Sequence, residues 1–297
     1  MEPRQPSEMD RYLFDLKGFI HLENALSSDE VDACNRDMDS VQDLNPGEWH
    51  GYVQCHQFSD NNGKNLQQIY ELPAYQPMIN HPSWIDYIKM FIGGEGTFDY
   101  KHGPLFIDEA FGSIREHGEA IFIHSGGHTN TKRNMYHFSE SKFMCNQVNV
   151  LVALTDIGPG DGGTVLIPSS HKSNIEHPCF RDTERDISSA DGVEAAIEVH
   201  MNKGDAIIFS DWICHGAAAR TKEGQRRIFV YRYGPSWGMF RHPYRPSKDL
   251  MDALGEEAKG IVWPHDPIPR QPNRLENIPN PDQVRARQNS DEQADYT

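Results

Sequence analysis

Residues 147–154 read QVNVLVAL, and this stretch decides the fold class. Every second residue from position 148 is apolar, which gives a strand one wholly apolar face: Val148, Val150, Val152 and Leu154. The opposite face begins with Gln147 and Asn149 and becomes apolar only at Leu151. The segment therefore predicts a buried strand that has a polar end facing a wet cavity.

Further short apolar segments follow, and turn signals separate them. DIGPGDGG (156–163) is a turn cluster, and it precedes three predicted strands: TVLIP (164–168), AIIF (206–209) and RRIFVYRY (226–233). Near the amino terminus, Ser27 and Glu30 form a capping-box pattern that predicts a helix over residues 28–42. The sequence predicts a mainly β protein, a jelly roll or a related double sheet, with helices near the amino terminus.

The length of 297 residues is compatible with one large β domain, which we expect to span residues 1–265. Residues 266–297 contain five prolines and neither Phe nor Trp. A segment of this composition buries little apolar surface, so it predicts a poorly ordered tail.

Charge and composition exclude several classes of function. The 44 acidic and 28 basic residues give a net charge of −16, which repels nucleic acids and anionic membrane surfaces. No apolar run approaches the roughly 18 residues of a membrane span, and the polar start MEPRQPSEMD predicts a cytoplasmic protein. Five cysteines without a CxxC pair predict reduced structural thiols.

Two histidines close predicted strands and are candidate metal ligands. His124 lies in IFIHSGGH (121–128), and His215 lies in SDWICHG (210–216). Two imidazoles from distant strands of a barrel, together with one carboxylate, form the facial triad that binds non-haem iron. The pattern predicts a shared metal site, although any one of the 15 histidines taken alone is more often structural.

The chain resembles the phytanoyl-CoA dioxygenase family over most of residues 8–245. The resemblance rests on four segments: RYLFDLKGFIHLENALSSDEV (11–31), VALTDIGPGDGGTVLIPSSHKSN (152–174), KGDAIIFSDWICHGA (203–217) and QRRIFVYRYGP (225–235). It implies a double-stranded β-helix of the jelly-roll type with flanking amino-terminal helices, and an oxidoreductase that uses iron(II), 2-oxoglutarate and dioxygen. The implied reaction is hydroxylation or another oxidation of a C–H bond in a small-molecule substrate.

The resemblance also implies roles for particular residues. His124 and His215, 91 residues apart, correspond to the two iron-binding histidines, and Arg226, 11 residues further on, corresponds to the anchor of the 2-oxoglutarate carboxylate. Arg227 is the alternative anchor, and either arginine could instead form an ordinary ion pair. Gln147 and Asn149 are candidates for hydrogen bonds to the cosubstrate.

The chain departs from the family at the third iron ligand. The family's first motif is His-x-Asp, whereas Gly126 follows His124 and Ser125 here. One explanation is another donor: Asp211, if the chain bends over residues 212–214 instead of leaving Asp211 about 13 Å from His215, or His128. The second is a halide in the vacant position, as in iron halogenases, and the third is a protein that no longer oxidises.

Three further residues are candidates for substrate contact or a lid. His128 follows a Gly-Gly pair, His137 is predicted in a polar loop, and Trp237 follows the last strand. A different class of function also fits the pattern, because KGDAIIFSDWICHG (203–216) is similar to a cupin motif. That interpretation predicts a jelly-roll binding module without redox turnover.

Overall fold

The computed structural model describes residues 3–56, 63–93, 103–129, 135–180, 192–238 and 244–264. Two antiparallel sheets face each other, and the helices pack on the outside of the larger sheet. Within these ranges the α-helices are α1 (Glu8–Lys17), α2 (Ser28–Asp39), α3 (Ile85–Ile92), α4 (Lys248–Ala253) and α5 (Glu256–Val262). Short 3-10 helices include Ser170–Lys172.

The larger sheet has eight strands in the described part of the chain. In spatial order they are β1 (Phe19–Leu22), β12 (Ala206–Ser210), β9 (Val148–Ala153), β14 (Arg226–Pro235), β5 (Leu105–Arg115), β4 (Lys64–Gln67), β3 (Val53–His56) and β2 (Trp49–His50). The central strand β14 pairs with β9 on one side and with β5 on the other. All of these pairs are antiparallel.

The smaller sheet carries both candidate ligand histidines and, among the described residues, has four strands. In spatial order they are β11 (Ile197–Val199), β10 (Thr164–Ile167), β13 (Cys214–Ala217) and β6 (Ile121–His124). A separate hairpin consists of β7 (Tyr136–Ser139) and β8 (Lys142–Cys145). The predicted double-stranded β-helix is confirmed.

Alternation along the strands of the larger sheet separates two apolar layers. On β14, Phe229, Tyr231 and Tyr233 face the helices, whereas Ile228 and Val230 face the smaller sheet. The inner layer also contains residues of β10 and β11, such as Leu166 and Val199. The space between the sheets is thus largely filled by apolar side chains, and polar groups lie at its two ends.

The predicted amino-terminal helix begins where its capping box placed it and ends three residues early. The Ser27 side chain accepts from the Glu30 N–H, and Glu30 accepts from the Ser27 N–H. All five cysteines are buried and free, as expected of structural thiols. The predicted tail, residues 266–297, lies outside the described residues, and within them no helix is long and apolar enough to cross a membrane.

The placement of His137 in a loop is wrong. His137 lies on β7, and β7 pairs with β8 through a two-residue turn at Glu140 and Ser141. Both turn residues have positive φ, 52° and 63°, which is the conformation that closes a tight hairpin. Neither residue is Gly or Asn, so the usual sequence signal for such a turn is missing.

Candidate active site

His124 and His215 lie side by side on adjacent strands of the smaller sheet. They are directly paired in the antiparallel register of β6 and β13, and their ring centroids are 4.2 Å apart. His124 closes β6 as predicted, but His215 lies at the beginning of β13 instead of closing a strand. The antiparallel pairing explains this, because the end of one strand meets the beginning of the other.

Backbone carbonyls fix the proton positions on both rings. Nδ1 of His215 is 2.8 Å from the carbonyl oxygen of Ile213, and Nδ1 of His124 is 3.1 Å from that of Phe122. A carbonyl only accepts, so each Nδ1 donates its proton and each Nε2 carries the lone pair. Burial, and then the neighbouring His124, lower the pKa of His215, which keeps that ring neutral. Neutral rings in this tautomer can ligate a metal through Nε2.

A turn between β12 and β13 brings Asp211 to the same place. The Ile213 N–H donates to the Ser210 carbonyl at 3.0 Å, so the chain bends at residues 211–213. Oδ1 of Asp211 lies 3.9 Å from Nε2 of His215, and Asp211 is 2% exposed. Two ligands of one ion, each bound at about 2.1 Å, are separated by about 3.0 to 3.4 Å. A shift of less than about 1 Å would bring Asp211 into that range of His215.

Asn149 and Gln147 hold the Asp211 carboxylate from the larger sheet. The Asn149 amide donates to Oδ1 of Asp211 at 2.8 Å, and the Gln147 amide donates to Oδ1 of Asn149 at 3.3 Å. Both residues are buried, at 0% and 1% exposure. The predicted polar end of β9 therefore exists and is in contact with the candidate third ligand.

Gly126 leaves no room for the carboxylate that the family carries at this position. Its φ is +121°, and a Cβ built there would lie 2.8 Å from Sγ of Cys214 and 2.8 Å from Nδ1 of His128. Across the described residues, no group of three or more His, Cys, Asp or Glu side chains could hold a metal as placed. The two imidazoles fit a metal ion, and a third protein donor would have to move toward them to complete a triad.

Arg226 faces the space between the sheets at the first residue of β14. It is 5% exposed, its Nη1 donates to the Gly162 carbonyl, and its buried Nε has no hydrogen-bond partner. Burial, and then repulsion from Arg115 and Arg220, lower the pKa of Arg226 to about 9. Among the described residues, no carboxylate lies within 4 Å of this guanidinium. A buried cation with an unpartnered donor fits an anionic ligand such as a 2-oxoglutarate carboxylate.

Arg227 points the other way. Its Nη1 lies 2.6 Å from Oδ1 of Asp39, and its Nη2 donates to Gln42 at 2.9 Å. This side chain joins β14 to the helical layer as an ordinary ion pair. The two adjacent arginines therefore have opposite environments, and the choice of Arg226 as the inward-facing one agrees with the structure.

Two buried arginines near Arg226 were missed in the sequence. Arg115 is the direct register partner of Arg226 on β5 and is 1% exposed, and Arg220 is 3% exposed. Arg115 donates to the Ala218 carbonyl at 3.0 Å, and Arg220 donates to the Glu223 carbonyl at 3.0 Å. Arg115 closes an 11-residue strand, whose inward face could have been read from the alternation of FGSIR (111–115).

The three candidate substrate or lid residues lie in three different surroundings. His128 lines a cavity of about 350 Å³ with Cys214 and Glu176, and Cys214 packs on the outer side of the smaller sheet. His137 is exposed on β7, and Trp237 is 57% exposed just after β14. Their roles remain predictions.

The fold and the paired histidines define a jelly-roll protein with a candidate metal site on its smaller sheet. The phytanoyl-CoA dioxygenase (PhyH) family model matches residues 14–228. The chain belongs to the phytanoyl-CoA dioxygenase family.

Known proteins agree with this assignment. A protein from Talaromyces verruculosus described as dioxygenase cdmD is 29% identical over 124 residues, which are 42% of this chain and 34% of that protein. The match thus spans about a third of that relative's length. The predicted family is confirmed, and both the family and this relative are described as dioxygenases.

Solved structures share the fold. HygX from Streptomyces hygroscopicus, with nickel and 2-oxoglutarate bound, has a TM-score of 0.65 at 20% identity, covering 82% of this chain and 94% of that chain. The same protein with hygromycin B also bound has a TM-score of 0.67 at 19% identity, with the same coverage. EctD from S. alaskensis has a TM-score of 0.56 at 15% identity, covering 78% of this chain and 80% of that chain.

Proposed function

We propose that this chain is an iron(II)- and 2-oxoglutarate-dependent dioxygenase that oxidises a C–H bond of a small molecule. The observation that carries the proposal is the pair formed by His124 and His215, whose Nδ1 atoms are held by carbonyls so that both Nε2 atoms can ligate one ion. Arg226, which is buried with an unpartnered Nε and has Glu198 as its only attractive charge of note among the described residues, supplies the second requirement, a site for the cosubstrate carboxylate.

Asp211 is our proposed third ligand. Its carboxylate is buried beside His215, where a divalent cation would compensate its charge. The hydrogen bond from Asn149 orients it. We therefore assign Asn149 and Gln147 to positioning Asp211, instead of to the direct cosubstrate contact that the sequence suggested.

Iron(II), 2-oxoglutarate and dioxygen together supply the oxidation, in which the cosubstrate becomes succinate and carbon dioxide while the substrate C–H bond is oxidised. The protein supplies orientation and a dry site. Arg226 fixes the distal carboxylate, since a planar guanidinium binds a carboxylate through two parallel hydrogen bonds. Apolar side chains between the sheets, such as Phe209 and Val230, exclude water from the space that the site shares with them.

Formation of succinate tests the proposal. Protein supplied with iron(II), 2-oxoglutarate and air should produce succinate slowly even without substrate, and His215→Ala should abolish this turnover. The proposal fails if iron-loaded wild-type protein binds 2-oxoglutarate but forms no more succinate than the His215→Ala variant. That result would instead support a jelly-roll binding module.

A halogenase is the second candidate, and Gly126 is the observation that favours it. The position lacks a carboxylate, and the described residues contain no assembled group of three donors. Chloride could then complete the coordination. A chloride-dependent increase in 2-oxoglutarate affinity would favour this candidate over the one with Asp211 as ligand.

A further inference from the structure

The inward face of β3 and β4 is polar, although the outward face of the same strands is apolar apart from Lys64 at the start of β4. Val53, Cys55 and Leu66 point outward into the core beneath the helices and are 0% exposed. The residues between them point inward and all carry hydrogen-bonding side chains: Gln54, His56, Asn65 and Gln67. This alternation places a polar surface on the part of the larger sheet that extends beyond β5.

Asn65 has unmet hydrogen-bonding capacity on this face. It is 2% exposed, and both its amide nitrogen and its amide oxygen are buried without a hydrogen-bond partner. Its neighbour His56, in contrast, has hydrogen-bond partners. Nε2 of His56 lies 2.7 Å from Oε1 of Gln54 and 3.1 Å from the Tyr244 hydroxyl. A buried amide with no partner is costly, so a residue of this kind needs a ligand or a function to account for it.

A chain of contacts joins this face to the candidate metal site. The Gln67 amide donates to Oε1 of Glu109 at 2.6 Å, and Oε2 of Glu109 lies 3.1 Å from Nη1 of Arg232. Arg232 is the register partner of Asn149, which donates to Asp211 beside His215. The polar face is therefore continuous with the place where a substrate C–H bond would be oxidised.

The charged groups on this face pair with each other, so the amide groups are the ones that can recognise a substrate. Glu109 and Arg232 neutralise each other, so the face does not call for an ionic substrate. The Asn65 amide both donates and accepts, and a hydroxyl group does the same. Two adjacent hydroxyls can occupy both amide atoms at once.

We propose that the polar face formed by Asn65, Gln67, Glu109 and Arg232 binds a neutral, polyhydroxylated substrate, with Asn65 as the residue that selects for hydroxyl groups. This proposal rests on the proposed function, because it names the substrate class of the same site. It assigns the selection for hydroxyl groups to β4, a strand that contributes neither the histidines nor Arg226.

Ligand-detected saturation-transfer NMR on protein loaded with zinc and 2-oxoglutarate tests the proposal. The probes are myo-inositol, a hydroxylated ring, and toluene, an apolar ring. We expect transfer to myo-inositol in the wild type and an affinity at least about tenfold weaker in Asn65→Leu and Asn65→Ala. Asn35→Leu is the matched control, since the Asn35 amide donates to the Leu154 carbonyl at 2.9 Å and lies on α2, away from this face.

Thermal unfolding of the ligand-free variants separates recognition from structure. Asn65→Leu should match or exceed the wild-type unfolding temperature, because it removes buried polar atoms that have no partner, whereas Asn35→Leu should unfold at a lower temperature. Equal losses of stability in the two variants would overturn the proposal. So would transfer to toluene but not to myo-inositol, or no transfer to either probe.

A parallel anaerobic sample distinguishes failure of the proposed substrate class from failure of the proposed function. If iron(II) and 2-oxoglutarate produce a visible charge-transfer band but myo-inositol does not bind, the proposed substrate class is wrong and the proposed function stands. If the band itself is missing, the proposed function fails.

Discussion

Two backbone carbonyls fix the tautomer of the two candidate ligand histidines. The carbonyls of Phe122 and Ile213, each two residues before a histidine, accept the Nδ1 protons of His124 and His215. Each ring is thereby held as the tautomer with its lone pair on Nε2. Arg226 and Arg227 also differ at the level of single residues. They are neighbours on one strand, but their side chains face opposite layers.

Arg226→Ala should weaken 2-oxoglutarate binding by about 2 to 5 kcal/mol, which is at least about thirtyfold in affinity. The loss follows from removing a buried charge-assisted pair. Arg227→Ala is the matched control and should leave the affinity nearly unchanged, because this side chain binds Asp39 on α2. Titration calorimetry on nickel-loaded protein measures both, and equal losses would refute the assignment.

Asp211→Ala should greatly reduce iron retention if Asp211 is the third ligand, and chloride should not affect the wild type. Asp156→Ala, which removes an exposed carboxylate elsewhere, is the control for charge. Iron content after gel filtration and 2-oxoglutarate affinity with and without chloride are the measurements. Unchanged iron content in Asp211→Ala, together with a chloride effect in the wild type, would favour the halide arrangement.

At the scale of elements, the 3-10 helix Ser170–Lys172 ties α1 and β1 to the smaller sheet. Nε2 of His171 donates to the Asp15 carbonyl at 3.0 Å, and its buried Nδ1 has no hydrogen-bond partner. A Cβ at Gly18 would lie 2.5 Å from that Nδ1, so only glycine fits there. Burial lowers the pKa of His171 to about 4, because protonation would place a charge in this closed contact.

The pH dependence of stability should reveal this contact. Unfolded His171 binds a proton with a pKa of 6.5 and the folded residue with a pKa of about 4, so the unfolded state holds more protons between these values. The free energy of unfolding should therefore fall as the pH drops from 6.5 to 4, by about 3 kcal/mol from this group. Urea unfolding of His171→Gln should show a shallower decline, and an identical pH profile would contradict the account.

Elements with regular alternation were predictable from the sequence, and those that depend on turns were less so. The strand at 148–153 and the helix capped by Ser27 follow from local patterns. The hairpin at Glu140 and Ser141 has no Gly or Asn signal. The bend that brings Asp211 to His215 could be stated only as a condition, because it depends on how β12 and β13 join two different sheets.

At the scale of the whole molecule, the double sheet assembles a site from distant parts of the chain. The smaller sheet places His124 beside His215, and the larger sheet contributes Asn149 and Arg226. Long-range pairing of this kind cannot be read from local periodicity, and the resemblance to a family supplied it. The buried Asn65 and Arg115 were not found in the sequence, since their meaning depends on which face of each strand is enclosed.

Anaerobic titration with iron(II) and 2-oxoglutarate tests the central claim most directly, because it requires His124, His215 and Arg226 to act as one site. The account predicts a visible charge-transfer band in the wild type and in His117→Ala, whose histidine is exposed in the bend before β6. It predicts loss of the band in His124→Ala and in His215→Ala. A band of wild-type intensity in both of these variants would contradict the account.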